Sequence, residues 1–256
     1  MFKRVRIVVL LYVLVFVAAA QFFAARHARN WDAPLWVDLY LVDGDGKPVT
    51  QRYLKALDRG DFKDTEEFFA REAERFGLGL SQPFRLRVIG ELPEPLPALA
   101  PDAGALGILQ WSLRMRWLAT RLKWRDQGPS GDIVAFVVFH EAAGSLALDR
   151  STALEKGLIA VVNLFADRDA RGPNQLVLAH ELLHTLGATD KYSAATNAPT
   201  FPDGYAAPEA KPLLPQKKAE LMAGRIPIDA ATAEIPDSLR QVVIGPATAR
   251  EIGWQR

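Results

Sequence analysis

The chain has 256 residues, 49% of them hydrophobic and 24% charged, with 31 Lys plus Arg against 30 Asp plus Glu. That is the composition of a folded domain with a sizeable core, and a net charge of +1 gives no case for a nucleic-acid-binding surface. The absence of cysteine excludes disulfides, thiolate zinc sites, iron–sulfur clusters and thiol catalysis. The N-terminus carries Lys3, Arg4 and Arg6, then an apolar run from Ile7 to Ala25 with Gln21 as its one clearly polar residue, closed by Arg26, His27 and Arg29. As a helix that run rises about 28 Å, close to the roughly 30 Å of a bilayer core. Residues 1–30 therefore read as a membrane anchor. Ala18-Ala19-Ala20 leaves cleavage as a signal segment, followed by secretion, as the alternative, but the run is long for that role. The short basic N-terminal side favours a single pass with residues 31–256 on the extracytoplasmic face.

Leu35 to Val42 reads as a strand, followed by the turn signal Asp43-Gly44-Asp45-Gly46. Thr50 to Phe76 has helical spacing, with a break at Gly60. Phe84 to Ile89 alternates like a strand, and Glu91 to Pro101 is a proline-rich loop. Ile108 to Lys123 is an amphipathic, basic helix with Trp111 and Trp117 inside it. A core-facing helix with a solvated basic side is favoured there over a membrane-surface helix. Ile133 to Phe139 and Leu158 to Phe165 are short, Val- and Ile-rich strands. Gln175 to Leu186 is a helix with Asn174 in the N-cap position and Gly187 as its stop. Ser193 to Lys218 is an irregular loop, and Gly245-Pro246 opens a last helix reaching Ile252. The order predicts an α/β (α+β) domain with helices on a mixed twisted sheet and an irregular C-terminal part. Residues 31–130 belong to the same sheet.

The chemistry lies in His180-Glu181-Leu182-Leu183-His184. Residues four apart on a helix share a face, so His180 and His184 can grip one Zn2+ while Glu181 reaches a water bound beside it. Gly187 lets the chain turn back, and Asp190 then brings a carboxylate as third ligand. Two imidazoles and one carboxylate leave a position open for water, the arrangement of a catalytic zinc site. A thermolysin-like third ligand is the alternative, with Glu209, Glu220 and Glu234 as candidates. Tyr192 and Tyr205 lie close in sequence to the ligands. His140, at a strand end, reads as a surface residue before a cleft one.

The pattern H-E-x-x-H-x-x-G-x-x-D resembles that of the metzincin zinc peptidases, and Asp190 in place of a third histidine makes it similar to the snapalysin-like branch. Asp190-Lys191-Tyr192 resembles the Asp-x-Tyr of that branch, and Glu220-Leu221-Met222-Ala223-Gly224 looks like the segment around the Met-turn. The resemblance spans about residues 130 to 256. It implies a metzincin-like fold, a methionine (Met222) beneath the ligands and a zinc-dependent endopeptidase acting on peptide or protein, with Glu181 as general base. It also implies substrate binding by strand addition at a sheet edge formed by Val161 to Phe165 or by the strand before it. Two other readings stay open: a membrane-tethered binding or assembly module with a non-catalytic zinc site, and a zinc hydrolase of a non-peptide bond.

Overall fold

The computed structural model describes Arg6, Tyr12 and residues 28–100, 102–125, 130–142, 152–154 and 158–255. Apart from Tyr12, the anchor or signal segment expected over Ile7 to Ala25 lies outside the described residues. Among the described residues no helix is long and apolar enough to cross a membrane.

The first half runs β1 (Leu35–Asp43), α1 (Pro48–Ala56), a 3-10 turn (Arg59–Phe62), α2 (Lys63–Arg75), β2 (Phe84–Glu91) and α3 (Ala105–Arg125). It continues with β3 (Ile133–His140), β4 (Thr152–Leu154), β5 (Ile159–Phe165) and α4 (Arg171–Thr185). The C-terminal part holds only short pieces: β6 (Ala219–Glu220), β7 (Ile226–Pro227), β8 (Ala233–Glu234), a 3-10 turn (Leu239–Gln241), β9 (Val242–Val243) and α5 (Pro246–Glu251). The main sheet has the order β2-β1-β3-β5-β4. Its pairs are parallel except β4–β5, which is antiparallel. The molecule is thus a mixed α/β fold, and β1 and β2 share one sheet with the strands that follow.

The period-two side-chain alternation of a strand builds two cores. Val37, Leu39, Ile133, Ala135, Val137 and Val162 face one side, where α1, α2, α4 and the C-terminal part cover them. Tyr40, Val134, Phe136 and Ile159 face the other, covered by α3 through Trp111, Met115, Leu118 and Leu122. A strand covered on both faces loses its polar alternation, which is why β3 reads as a continuous apolar run.

The break expected at Gly60 is present: the Thr50–Phe76 helical region is split by the Arg59–Phe62 turn, where Asp58 accepts the Gly60 N–H at 2.6 Å and donates its own N–H to Asp61 at 3.0 Å. Three expectations need correction. Asn174 is no N-cap, because α4 starts earlier at Arg171. The Asn174 side chain instead accepts the Phe165 N–H (3.0 Å) and donates to the Phe165 carbonyl (2.8 Å), tying the helix to the end of β5. Of the two strands expected at the sheet edge, β3 is interior, whereas β5 pairs with β4 only over Ile159–Val161, so among the described residues the edge on that side is formed by β4 and the rest of β5. Finally, the outer side of α3 is not merely basic, since Leu106, Leu113, Trp117 and Trp124 are all more than half exposed there.

Candidate metal centre

Leu178, Ala179, Leu182 and Leu183 are fully buried and hold α4 against the sheet, which fixes the orientation of its other side chains. The helix ends in a Schellman motif: the Gly187 N–H donates to the His184 carbonyl at 3.0 Å and the Ala188 N–H to the Leu183 carbonyl at 3.1 Å. Gly187 has φ +93, a backbone that side chains disfavour. The reversal at Gly187 is what brings Asp190 back over the last turn of the helix.

Three ligand-type atoms meet there. His180 Nε2 and His184 Nε2 are 3.0 Å apart. Asp190 Oδ1 lies 3.2 Å from the first and 3.1 Å from the second. This is a near-equilateral triangle. A tetrahedral zinc with ligands at 2.0–2.1 Å has edges of roughly 3.3 Å, so the triangle matches one face of that polyhedron. The ring tautomers agree. His180 Nδ1 sits 3.1 Å from the Leu221 carbonyl and His184 Nδ1 2.7 Å from the Ala188 carbonyl. A carbonyl only accepts, so both Nδ1 atoms carry hydrogen and both Nε2 lone pairs converge with a carboxylate oxygen. Such a convergence is repulsive unless a proton or a cation lies between. The donor set therefore fits a metal ion, and His180, His184 and Asp190 are the residues that would hold it. Two imidazoles and one carboxylate suit zinc, and they also suit ferrous iron.

Glu181 stands next to this triangle, its carboxylate within 4.8 Å of the histidine donors, and burial pushes its pKa up to about 7. Burial opposes charge on His180, yet its hydrogen bond to Asp190 and the nearby Glu181 charge raise it above the ordinary imidazole value. Burial and the His180 charge hold His184 below that value. Burial raises Asp190, but the His180 hydrogen bond, the charges of both histidines and a hydrogen bond from Tyr192 hold it below the usual carboxylate range. The site is open to water, with 43% of the Asp190 side chain exposed and 22% of His184.

The other expected residues fall in different places. Met222 is fully buried, in a tight turn closed by the Gly224 N–H to the Glu220 carbonyl at 3.0 Å. That turn touches the site through its backbone: the Leu221 carbonyl takes His180, and the Met222 carbonyl accepts the Lys191 N–H at 2.9 Å. Tyr192 joins through Asp190, whereas the Tyr205 backbone bridges to Ala219. Glu220 is committed elsewhere, accepting from Gly245 N–H (3.0 Å), the Thr248 hydroxyl (2.7 Å) and Ala223 N–H (3.0 Å). Glu209 and Glu234 are exposed, so Asp190 is the carboxylate that joins the histidines. His140 lies at the end of β3 against Asn163, at 3.2 Å.

Sequence reasoning missed the clamp behind Asp190. Lys191 Nζ lies 2.7 Å from Glu251 Oε2 and donates to the Thr189 carbonyl at 2.8 Å, while the Thr189 N–H donates to Glu251 at 3.0 Å. The last helix thus holds the loop that carries Asp190. A buried lysine demands a counter-charge, but nothing in the spacing to residue 251 points to it.

No family model matches the chain, and no curated protein matches it. Among solved structures it is similar to a chain from one described as "Structure of a chaperone-substrate complex", at 14% identity and a TM-score of 0.42. That match covers 86% of this chain and 33% of the other, so this chain spans about a third of the length of the solved chain it matches. A likeness at that score carries no argument about function.

Proposed function

We propose that this protein is a zinc-dependent endopeptidase of the metzincin type, similar to the snapalysin-like branch, tethered to a membrane through Ile7 to Ala25 with its folded domain on the extracytoplasmic side. The observation that carries the reading is the triangle of His180 Nε2, His184 Nε2 and Asp190 Oδ1, with edges of 3.0 to 3.2 Å and both Nδ1 hydrogens engaged by carbonyls. Glu181 beside it favours hydrolysis over a purely structural site, which has no need of a second, free carboxylate.

His180, His184 and Asp190 would hold zinc, which when bound supplies Lewis acidity and brings the pKa of a water toward about 7. Glu181 accepts the proton of the attacking water. Its buried surroundings suit a base that gives the proton back to the leaving amine. The Leu221 and Ala188 carbonyls orient the two rings, and Tyr192 orients Asp190. An extended peptide adds to the outer side of β4, the last strand in the sheet order on the α4 side. A proline at Ala153 should weaken peptide binding, and unchanged affinity would sink that part of the reading.

The test of the activity is an unbiased peptide library incubated with the purified chain plus zinc, with a chelator, and with Glu181→Gln plus zinc. Cleavage in the first case alone supports the proposal. Zinc bound without cleavage in any case favours a binding module, and ester hydrolysis without peptide cleavage favours a different hydrolase.

A further inference from the structure

Helix α3 is apolar on two sides. The inner one is buried in the second core. The outer one carries Leu106, Leu109, Leu113, Trp117 and Trp124, spaced three, four, four and seven residues apart, which puts them on one stripe of a helix. All five are more than half exposed, Trp117 at 60% and Trp124 at 76%. The two indoles meet edge to face with centroids 6.4 Å apart. An apolar stripe of this length calls for a partner.

The charge on the helix says which kind. α3 contains Arg114, Arg116, Arg121, Lys123 and Arg125 and no acidic residue. Arg121 is paired with Glu94, whereas Arg114 and Arg125 stand exposed beside the stripe. Leucines and tryptophans flanked by arginines suit the headgroup layer of an anionic bilayer, where indoles sit at the interface and guanidinium groups meet lipid phosphates.

The position of the helix agrees. Lys123 Nζ donates to the Asp132 carbonyl at 3.3 Å, and the Asp132 side chain accepts the Trp36 N–H at 2.9 Å. The Trp124 end of α3 therefore lies where β1 begins. The chain enters the fold at that same end, with Trp31 packed on Phe84, the first residue of β2, at 5.4 Å. Only Arg26 and His27 separate Ala28, a buried residue, from the apolar run Ile7 to Ala25. A tether that short, read as a membrane anchor, holds the basic, Trp-bearing end of α3 close to the lipid.

We infer that the outer stripe of α3 lies in the surface of an anionic membrane and orients the domain on it. The inference uses the anchor reading but not the zinc reading. The cysteine-free chain makes the test simple, because a single introduced thiol is the only one present. Leu113→Cys, Trp117→Cys and, as a control on the opposite side of the sheet, Glu67→Cys are made in the full chain and labelled with an environment-sensitive fluorophore. Each is reconstituted in phosphatidylcholine vesicles with or without phosphatidylglycerol, carrying lipid spin-labelled on its acyl chain. The expected result is loss of most of the fluorescence at 113 and 117 in the phosphatidylglycerol vesicles, a smaller loss without that lipid, and none at 67. Labels at 113 and 117 no more quenched than at 67 overturn the inference, whether their emission is that of water or of a protein contact with a second copy. Equal quenching in both lipids overturns its anionic part.

Discussion

His180 and His184 are one helical turn apart and use the same tautomer, yet they hold protons differently. The hydrogen bond to Asp190 and the Glu181 charge raise the His180 pKa, whereas burial and its neighbour lower that of His184. A proton on His180 would occupy the place a metal would take, so binding has to displace it wherever His180 is protonated. Zinc affinity should fall as the pH drops through the His180 pKa, with net proton release on binding below that pKa. Calorimetry in buffers of different ionisation enthalpy measures that release, and zero release or uptake would argue against His180 as a ligand. Glu181 yields a second expectation. Its pKa rises from 4.5 to about 7 on folding, so its ionisation destabilises the metal-free fold as the pH climbs through that window. With zinc chelated, Glu181→Gln should be more stable than the natural protein at pH 8, by about 3 kcal/mol at most, and no more stable at pH 4. Urea unfolding at the two pH values checks this, and a gain independent of pH would remove the ionisation argument.

At the scale of elements, the site depends on what fixes two ends. Asn174 ties the start of α4 to β5, and the clamp of Thr189, Lys191 and Glu251 ties the Asp190 loop to α5. Glu251→Gln leaves the buried Lys191 charge without its partner and loosens Asp190. Zinc affinity should drop by about tenfold or more while the histidine rings keep their carbonyl partners. Competition with a fluorescent chelator gives the affinity, and an unchanged value would reduce the clamp to a surface tie. The motif on α4 was legible because everything it needs is local: the four-residue spacing of the histidines, the Gly187 stop, and Asp190 just beyond it. The clamp was not, because its partners come from distant parts of the chain. Asn174 misled for the same reason, a cap-type residue whose side chain bonds to another strand. The short β4 and the two-residue strands β6 to β9 lack any run long enough to carry a period.

At the scale of the whole molecule, one sheet supports both proposed surfaces. Its first face carries α4 and the ligand set, its second face carries α3, and β1 and β3 run between the two cores. The apolar strands announced this sheet in the sequence, but not its order, which depends on pairings between distant segments. Because the ligands come from α4 and from the loop that α5 holds, a bound metal links the C-terminal part to the sheet. Zinc at about a thousandfold above its dissociation constant should stabilise the fold by about 4 kcal/mol, read as a higher Tm that a chelator reverses. A Tm indifferent to zinc would mean that the three donors do not bind it in the folded state.

The most direct test of the central claim measures zinc content and peptide hydrolysis on the same preparations of the natural protein, Glu181→Gln and Asp190→Ala. The account predicts one zinc and activity in the first. Glu181→Gln should keep its zinc with activity down by about 100-fold or more, and Asp190→Ala should lose both. Full hydrolysis by Glu181→Gln, or unchanged zinc affinity in Asp190→Ala, would contradict it.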